Sequence, residues 1–244
     1  MLNRVPGLQK RFVYYVESLG YIQPTKVHKA RIARRDYSEA DARRLEALWR
    51  YYSRGYSIQA AHELSRRALQ TVAYAGFYVP VGQVTQALAA VQSCPEVEEA
   101  SAVYADSIDL LVKARAAQAG ELYHSVVPAL AQAGVTSVPI VWLAEEQLRR
   151  PAAKGGAHSM LAYVLMKTPG KNVAEVMDQL KEIPEVLEAS TVYGESDIIA
   201  KVQVGSQEEL DSLVMDKLHA IPAVESTRTF IVIGRLHWSR ERPD

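Results

Sequence analysis

The stretch Pro95-Glu96-Val97-Glu98-Glu99-Ala100-Ser101-Ala102-Val103-Tyr104 returns as Pro184-Glu185-Val186-Leu187-Glu188-Ala189-Ser190-Thr191-Val192-Tyr193. The likeness continues: Asp109-Leu110-Leu111-Val112-Lys113 faces Asp197-Ile198-Ile199-Ala200-Lys201, Glu121-Leu122 faces Glu209-Leu210, and Leu130 faces Leu218. One single-residue gap, beside Ala105 and Gly194, keeps the two in register. A spacing of about ninety residues exceeds the ~20–50 of a solenoid repeat and has the size of a small domain. The chain therefore carries one module twice, after an N-terminal part of another kind.

Charge draws the same boundary. The chain is formally neutral, with 28 basic and 28 acidic residues. Residues 1–72 hold 14 of the basic and 6 of the acidic ones, a net +8, which leaves 14 against 22, or −8, for the remainder. Such asymmetry points to a polyanion-binding piece joined to one that does not bind polyanions. The alternative is a solvated basic helical face, but many of the charges gather in one short loop, Lys26-Val27-His28-Lys29-Ala30-Arg31-Ile32-Ala33-Arg34-Arg35. No run of 18 apolar residues occurs and Met1-Leu2-Asn3-Arg4 lacks an apolar signal core, so a cytoplasmic protein without a membrane partner is expected. The single cysteine, Cys94, excludes an internal disulfide and stands where the second copy has Ile183, the place of a small core residue.

In the N-terminal part, Gln9 to Ser18 reads as a helix with Phe12, Val16 and Leu19 on one side, closed by Gly20. Beyond the basic loop, Ser38 with Asp41 forms a variant capping box. It opens a helix through Leu45, Leu48, Trp49 and Tyr52. Gly55-Tyr56-Ser57 breaks it, and a third helix follows through Ile58, Ala61, Leu64 and Leu69. The alternation of Val27, Arg31, Ala33 and Arg35 suits a basic hairpin, or wing.

This order resembles the DNA-binding domain of the MerR family. The likeness rests on Tyr14-Tyr15-Val16-Glu17-Ser18-Leu19-Gly20-Tyr21-Ile22-Gln23-Pro24, on Arg35-Asp36-Tyr37 with Asp41 and Leu45, and on Gly55-Tyr56-Ser57-Ile58. Val16 is inserted before Glu17, and Val13 replaces the family's arginine. The resemblance implies double-stranded DNA as partner. Gln9, Lys10 and Arg11 would then face base edges or phosphates, and Lys26, His28, Lys29, Arg31, Arg34 and Arg35 would line a wing on the phosphates. Tyr14 and Tyr15 have two readings, backbone contact with DNA or core.

Each copy of the repeat alternates as strand, helix, strand, strand, helix, strand. Copy one places strands at Val72–Val81, Val97–Tyr104, Leu110–Arg115 and Val138–Leu143, with Leu122, Val126 and Leu130 as a second helical face. Copy two places them at Leu161–Met166, Val186–Tyr193, Ile198–Val204 and Thr227–Ile233. A four-stranded antiparallel sheet with two helices on one face is the ferredoxin-like arrangement. The expected fold class is thus α+β: an N-terminal α-helical winged helix-turn-helix domain (1–70) and two tandem ferredoxin-like (βαββαβ) domains (71–146 and 159–236) joined by a linker (147–158). A fused pair of this kind can pair its sheets within one chain, which removes aggregation-prone edges.

The run Val192-Tyr193-Gly194-Glu195-Ser196-Asp197-Ile198-Ile199-Ala200-Lys201 is similar to the effector domain of Lrp/AsnC-type regulators, where a Gly-x-x-Asp turn precedes an apolar strand. In copy one the glycine is Ala105 and an extra residue precedes Asp109, so its turn must differ. The resemblance implies an amino-acid or other small-molecule effector at Tyr193, Gly194, Ser196 and Asp197, with Asp109 as the degenerate counterpart. The other reading is a tight turn with a side-chain cap.

The six histidines fall on separate elements, and no phosphate-binding or nucleophile-elbow motif occurs, so no catalytic residue, metal or cofactor is expected. The sequence reads as a bacterial-type, oligomeric DNA-binding transcription regulator, not an enzyme. The alternative is a small-molecule sensor or assembly module whose head docks a protein.

Overall fold

The computed structural model describes residues 7–29, 32–68, 70–116, 120–151 and 159–240. The chain divides into two compact units, Met1–Gln70 and Thr71–Asp244.

The first unit runs α1 (Lys10–Ser18), a hairpin of β1 (Thr25–Lys29) and β2 (Ile32–Asp36), α2 (Glu39–Tyr52) and α3 (Ile58–Ala68). Its core is Phe12, Val13 and Val16 of α1 with Ile22, Leu45, Leu48 and Ala61. Phe12 meets Trp49 edge-on at 4.8 Å between ring centroids. Leu19, expected on this apolar side, is exposed. The helix ends at Ser18, and the Tyr21 amide closes on the Val16 carbonyl over Gly20, so Leu19 lies past the last turn. The capping box forms: the Asp41 amide donates to Ser38 Oγ and the Ser38 amide to Asp41. Such a cap contributes about 1 kcal/mol. Leu69 and the side chain of Leu64 lie outside the described residues.

The second unit repeats one element order. Its first half has β3 (Thr71–Phe77), α4 (Val84–Gln92), β4 (Val97–Tyr104), β5 (Leu110–Ala116), α5 (Glu121–Gln132) and β6 (Ile140–Arg149). Its second half has β7 (Met160–Lys167), α6 (Val173–Glu182), β8 (Val186–Tyr193), β9 (Ile198–Val204), α7 (Gln207–Ser212), which runs on as a π-helical stretch to Leu218, and β10 (Ser226–Ser239). In both halves the third strand pairs with the first and second, and the fourth lies beside the first. β3 stops at Phe77, short of the expected Val81, because the Val79 amide turns to the Asp109 carboxylate and Pro80 has no amide to continue the ladder.

Two strands run further than expected. β6 reaches Arg149 and β10 reaches Ser239, and these extensions cross to the other half. β6 pairs with β8 from Leu143 against Tyr193 to Arg149 against Glu188. β10 pairs with β4 from Ile231 against Tyr104 to Ser239 against Glu99. The eight strands close into one barrel in the order β10-β4-β5-β3-β6-β8-β9-β7. The halves thus meet at two seams, β6–β8 and β4–β10. The expected linker begins inside β6, and residues 152–158 lie outside the described ones.

The first three strands of each half are covered on both faces, whereas the seam extensions of β6 and β10 leave alternate residues exposed. Ala73, Ala75 and Phe77 pack with Leu88 and Val91 of α4 and Val126 and Leu130 of α5; the side chain of Leu122 is outside the described residues. A matching core lies under α6 and α7. The opposite faces of both halves share one interior, with Val72, Tyr74, Leu111 and Trp142 from the first half and Tyr163, Leu165, Ile199 and Phe230 from the second. Equivalent positions meet there: Tyr74 lies 6.3 Å from Tyr163 and Trp142 6.4 Å from Phe230. That is the signature of an isologous interface within a single chain. Each seam ends in an arginine. Arg150 donates to the carbonyls of Lys181, Ile183 and Val186 in the other half, and Arg240 reciprocally to those of Gln92, Cys94 and Val97. These carbonyls lie in the turns that lead from α6 into β8 and from α4 into β4, so each arginine fastens the matching turn of the other half.

Candidate functional sites in the head and the barrel

In the first unit, α1 turns Lys10, Arg11, Tyr14 and Tyr15 away from the buried Phe12, Val13 and Val16. Tyr14 and Tyr15 are 41% and 46% exposed, which decides against the core for both. Gln9 stands exposed at the N-cap of α1 with no side-chain cap. Arg35 of β2 lies over the Tyr14 ring at 4.7 Å, and Lys10 approaches it at 5.7 Å. Arg35 Nε also pairs with Glu17 at 2.8 Å, and the Tyr37 hydroxyl donates to the same carboxylate. Helix and hairpin thus present one cationic-aromatic surface. Arg31 lies outside the described residues, as do the side chains of Lys26, His28, Lys29 and Arg34, whose backbones form the hairpin.

In the barrel, the turn after β8 carries Tyr193, Gly194, Ser196 and Asp197. Gly194 has φ +153°, and a Cβ there would sit 3.1 Å from Trp142 of the first half, so the bare backbone allows the turn to close on the seam. The Asp197 carboxylate accepts the Thr168 amide at 3.0 Å and has Lys167 at 3.4 Å, while its own amide and carbonyl bond Met166 and Val192. Asp109 does the same work: its carboxylate accepts the Val79 amide at 2.9 Å, and its amide and carbonyl bond Phe77 and Val103. The two turns differ in length and at Gly194, yet both aspartates tie the end of a first strand to the start of a third.

Between these turns and the far end of the barrel lie two buried charge clusters that sequence reasoning missed. In one, Lys113 of β5 pairs with Glu188 at 2.5 Å and Glu146 at 2.7 Å, with Arg115 on Glu98 and Glu146 and Arg149 near Glu188. In the other, Lys201 of β9 and the Tyr163 hydroxyl each donate to Glu99 at 2.5 Å, and His237 lies 2.9 Å from Ser101. Each lysine holds a glutamate of the other half. Burial alone raises a carboxylate's pKa, but the charge and hydrogen bond of Lys113 bring Glu146 down to about 2. Burial likewise opposes ionisation of Glu99, and Lys201 overrides it to hold the carboxyl below its usual range. One signal was available: Glu99 with Glu188, and Lys113 with Lys201, recur at matching places of the repeat.

Residues 161–241 match the Lrp/AsnC ligand binding domain. The HTH-type transcriptional regulator FL11 of Pyrococcus horikoshii is 36% identical over 93 residues, 38% of this chain and 60% of that protein. Its counterpart in Pyrococcus abyssi is 37% identical over the same shares. The chain thus spans about 60% of the length of these curated relatives. Among solved structures, the siroheme decarboxylase NirDL superposes with a TM-score of 0.58 at 12% identity, over 72% of this chain and 75% of that one. Its complex with an iron-uroporphyrin III analogue gives 0.55 at 12% identity, over 93% and 87%. This corrects the expectation that the chain is not an enzyme: the fold is one that an enzyme shares, so the lack of a familiar catalytic motif is no ground for excluding catalysis. Among the described residues no helix is long and apolar enough to cross a membrane.

Proposed function

We propose that the chain is a DNA-binding transcription regulator. In this reading residues 1–70 are a MerR-like winged helix-turn-helix head, and 71–146 and 159–236 are two Lrp/AsnC-type effector domains fused into an internal pseudo-dimer. The observation that carries it is the Lrp/AsnC match at 161–241, with HTH-type regulators as relatives. The exposed surface of Lys10, Arg11, Tyr14, Tyr15 and Arg35 supports a duplex partner, because guanidinium, ammonium and phenol groups on one helix face suit phosphates and base edges. Lys26, His28, Lys29, Arg31 and Arg34 are assigned to the wing on the sequence alone. Oligomers are expected, since such heads read paired half-sites.

Titrating duplex DNA at increasing salt tests the head. The affinity should fall steeply, and Lys10→Ala with Arg11→Ala should reduce the log–log slope by about 0.9 for each phosphate that is no longer neutralised. No duplex binding at low salt by the folded protein would support a head that docks a protein instead.

For the effector, we assign the ligand to the turn at Tyr193, Gly194, Ser196 and Asp197, with the Asp197 carboxylate toward the ligand's ammonium and the turn amides toward its carboxylate. A screen of amino acids by thermal melting should find one that stabilises the protein as RT ln(1 + [L]/Kd). Asp109→Ala and Asp197→Ala should each lower stability by about 1–3 kcal/mol, the cost of orphaning a strand-end amide. Only Asp197→Ala should abolish the ligand's shift; loss of the shift in both variants would place the effector elsewhere.

A further inference from the structure

The two seams grow from the same repeat yet differ in one place. In β6, the two steps from Glu146 to Leu148 oppose one step on β8. In β10, five steps from Val232 to His237 oppose only two on β4, from Val103 to Ser101. Gly234 takes φ +40° within this excursion, a conformation that costs glycine nothing. Bulges of this kind re-aim the side chain that follows. Here that side chain is His237, with Nδ1 2.9 Å from Ser101 and 3.7 Å from Glu99. The first half has Glu146 opposite Ser190 at the corresponding place, and the buried Ser190 hydroxyl finds no hydrogen-bond partner among the described residues.

The groups facing His237 are Glu99 and Ser101 from β4, Lys201 from β9 and Tyr163 from β7. The α4 sequence, packed against β10, holds no titratable residue, and Arg240 is spent on main-chain carbonyls. Glu99 is already matched by Lys201 and the Tyr163 hydroxyl. With His237 neutral the cluster carries no net charge. The His237 side chain is 23% exposed, so a proton on it adds a partly buried positive charge to a cluster whose carboxylate, Glu99, is already matched by Lys201. Unmatched charge that is only partly solvated is costly.

The geometry points to the β4–β10 seam as a proton-sensitive closure of the barrel: protonation of His237 loosens it while the β6–β8 seam, with Glu146 in place of the histidine, holds. This goes beyond the regulator reading and does not depend on it. The sign follows from the surroundings. Burial, then Lys201, hold the imidazole below its ordinary range, with Glu99 pulling the other way. The opened seam therefore takes the proton first. Closure is complete above the free-histidine value of about 6.5 and weakens as pH falls below it, by at most about tenfold per pH unit for one proton.

Amide hydrogen exchange on the whole chain between pH 8 and 5.5, corrected for intrinsic rates, tests this with an internal control. Protection at Glu99–Tyr104 and His237–Ser239 should fall with pH, while the paired residues Leu143–Arg149 and Glu188–Tyr193 keep theirs. His237→Gln, which keeps a polar group for Ser101, should remove the dependence. NMR titration of the His237 ring in the unaltered protein should give a pKa below the free value, and serves alone if the variant does not fold. Equal loosening of both seams, a persisting pH response in His237→Gln, or a ring that titrates as free histidine would overturn the proposal.

Discussion

Replacing Lys113 with methionine should cost the barrel about 3 kcal/mol, the lower end of what is lost when one partner of a buried ion pair is removed. The ammonium is 2% exposed and lies between Glu188 and Glu146, which reach it from different halves. Methionine fills the space but leaves two carboxylates facing one another. Arg115 and Arg149 still reach them, which keeps the loss from the upper end. Urea unfolding at pH 7 measures the difference. A loss under about 1 kcal/mol would mean that the arginines alone hold both glutamates, as for a solvated surface pair. The acid limb should change too. Glu146 has its pKa depressed to about 2, so its share of stability is full above the ordinary glutamate value of about 4.3 and is lost as pH falls toward 2. Without Lys113 that dependence should flatten. A second replacement, Glu188→Gln, should recover part of the loss by removing one of the two carboxylates left facing each other.

Truncating Trp142 to alanine should cost about 3–5 kcal/mol, the range for a buried large aromatic side chain. The indole fills the centre of the shared interior. It faces Phe230 at 6.4 Å and sits against Gly194 and Gly76, whose missing side chains make room for it. The barrel interior has no helix to slide into the void, because α4, α5, α6 and α7 all pack on the outer faces. Denaturant unfolding checks the value, and a loss under about 1.5 kcal/mol would show that the strands collapse onto the space.

Part of this is legible in the residues alone. Ser38 with Asp41, Gly20 and the apolar spacing of Phe12 and Val16 mark the head's helices, since caps and periodicity are local properties. The repeat by itself marks Cys94 as a core residue, and Cys94 is buried. Tyr14 and Tyr15 stay open in the sequence, because a helix with adjacent aromatics does not say which face its neighbours will cover. The sequence ranks the turn aspartates as a strong site and a degenerate one, whereas their hydrogen bonds are the same. An inserted residue changes a turn's length without changing what the next carboxylate can reach.

What the sequence determined by itself was the duplication and the element order of each copy, because a repeated hydrophobic pattern specifies the same local structure wherever it recurs. The tertiary structure decided the closure. Ala144-Glu145-Glu146-Gln147-Leu148-Arg149 has too little apolar alternation to read as strand, and it becomes one only against β8 of the other half. Glu99 and Lys201, like Glu188 and Lys113, stand far apart in the chain and look like solvated charges until the barrel brings them together. A buried charge requires a partner at a fixed distance, and only the folded chain supplies it.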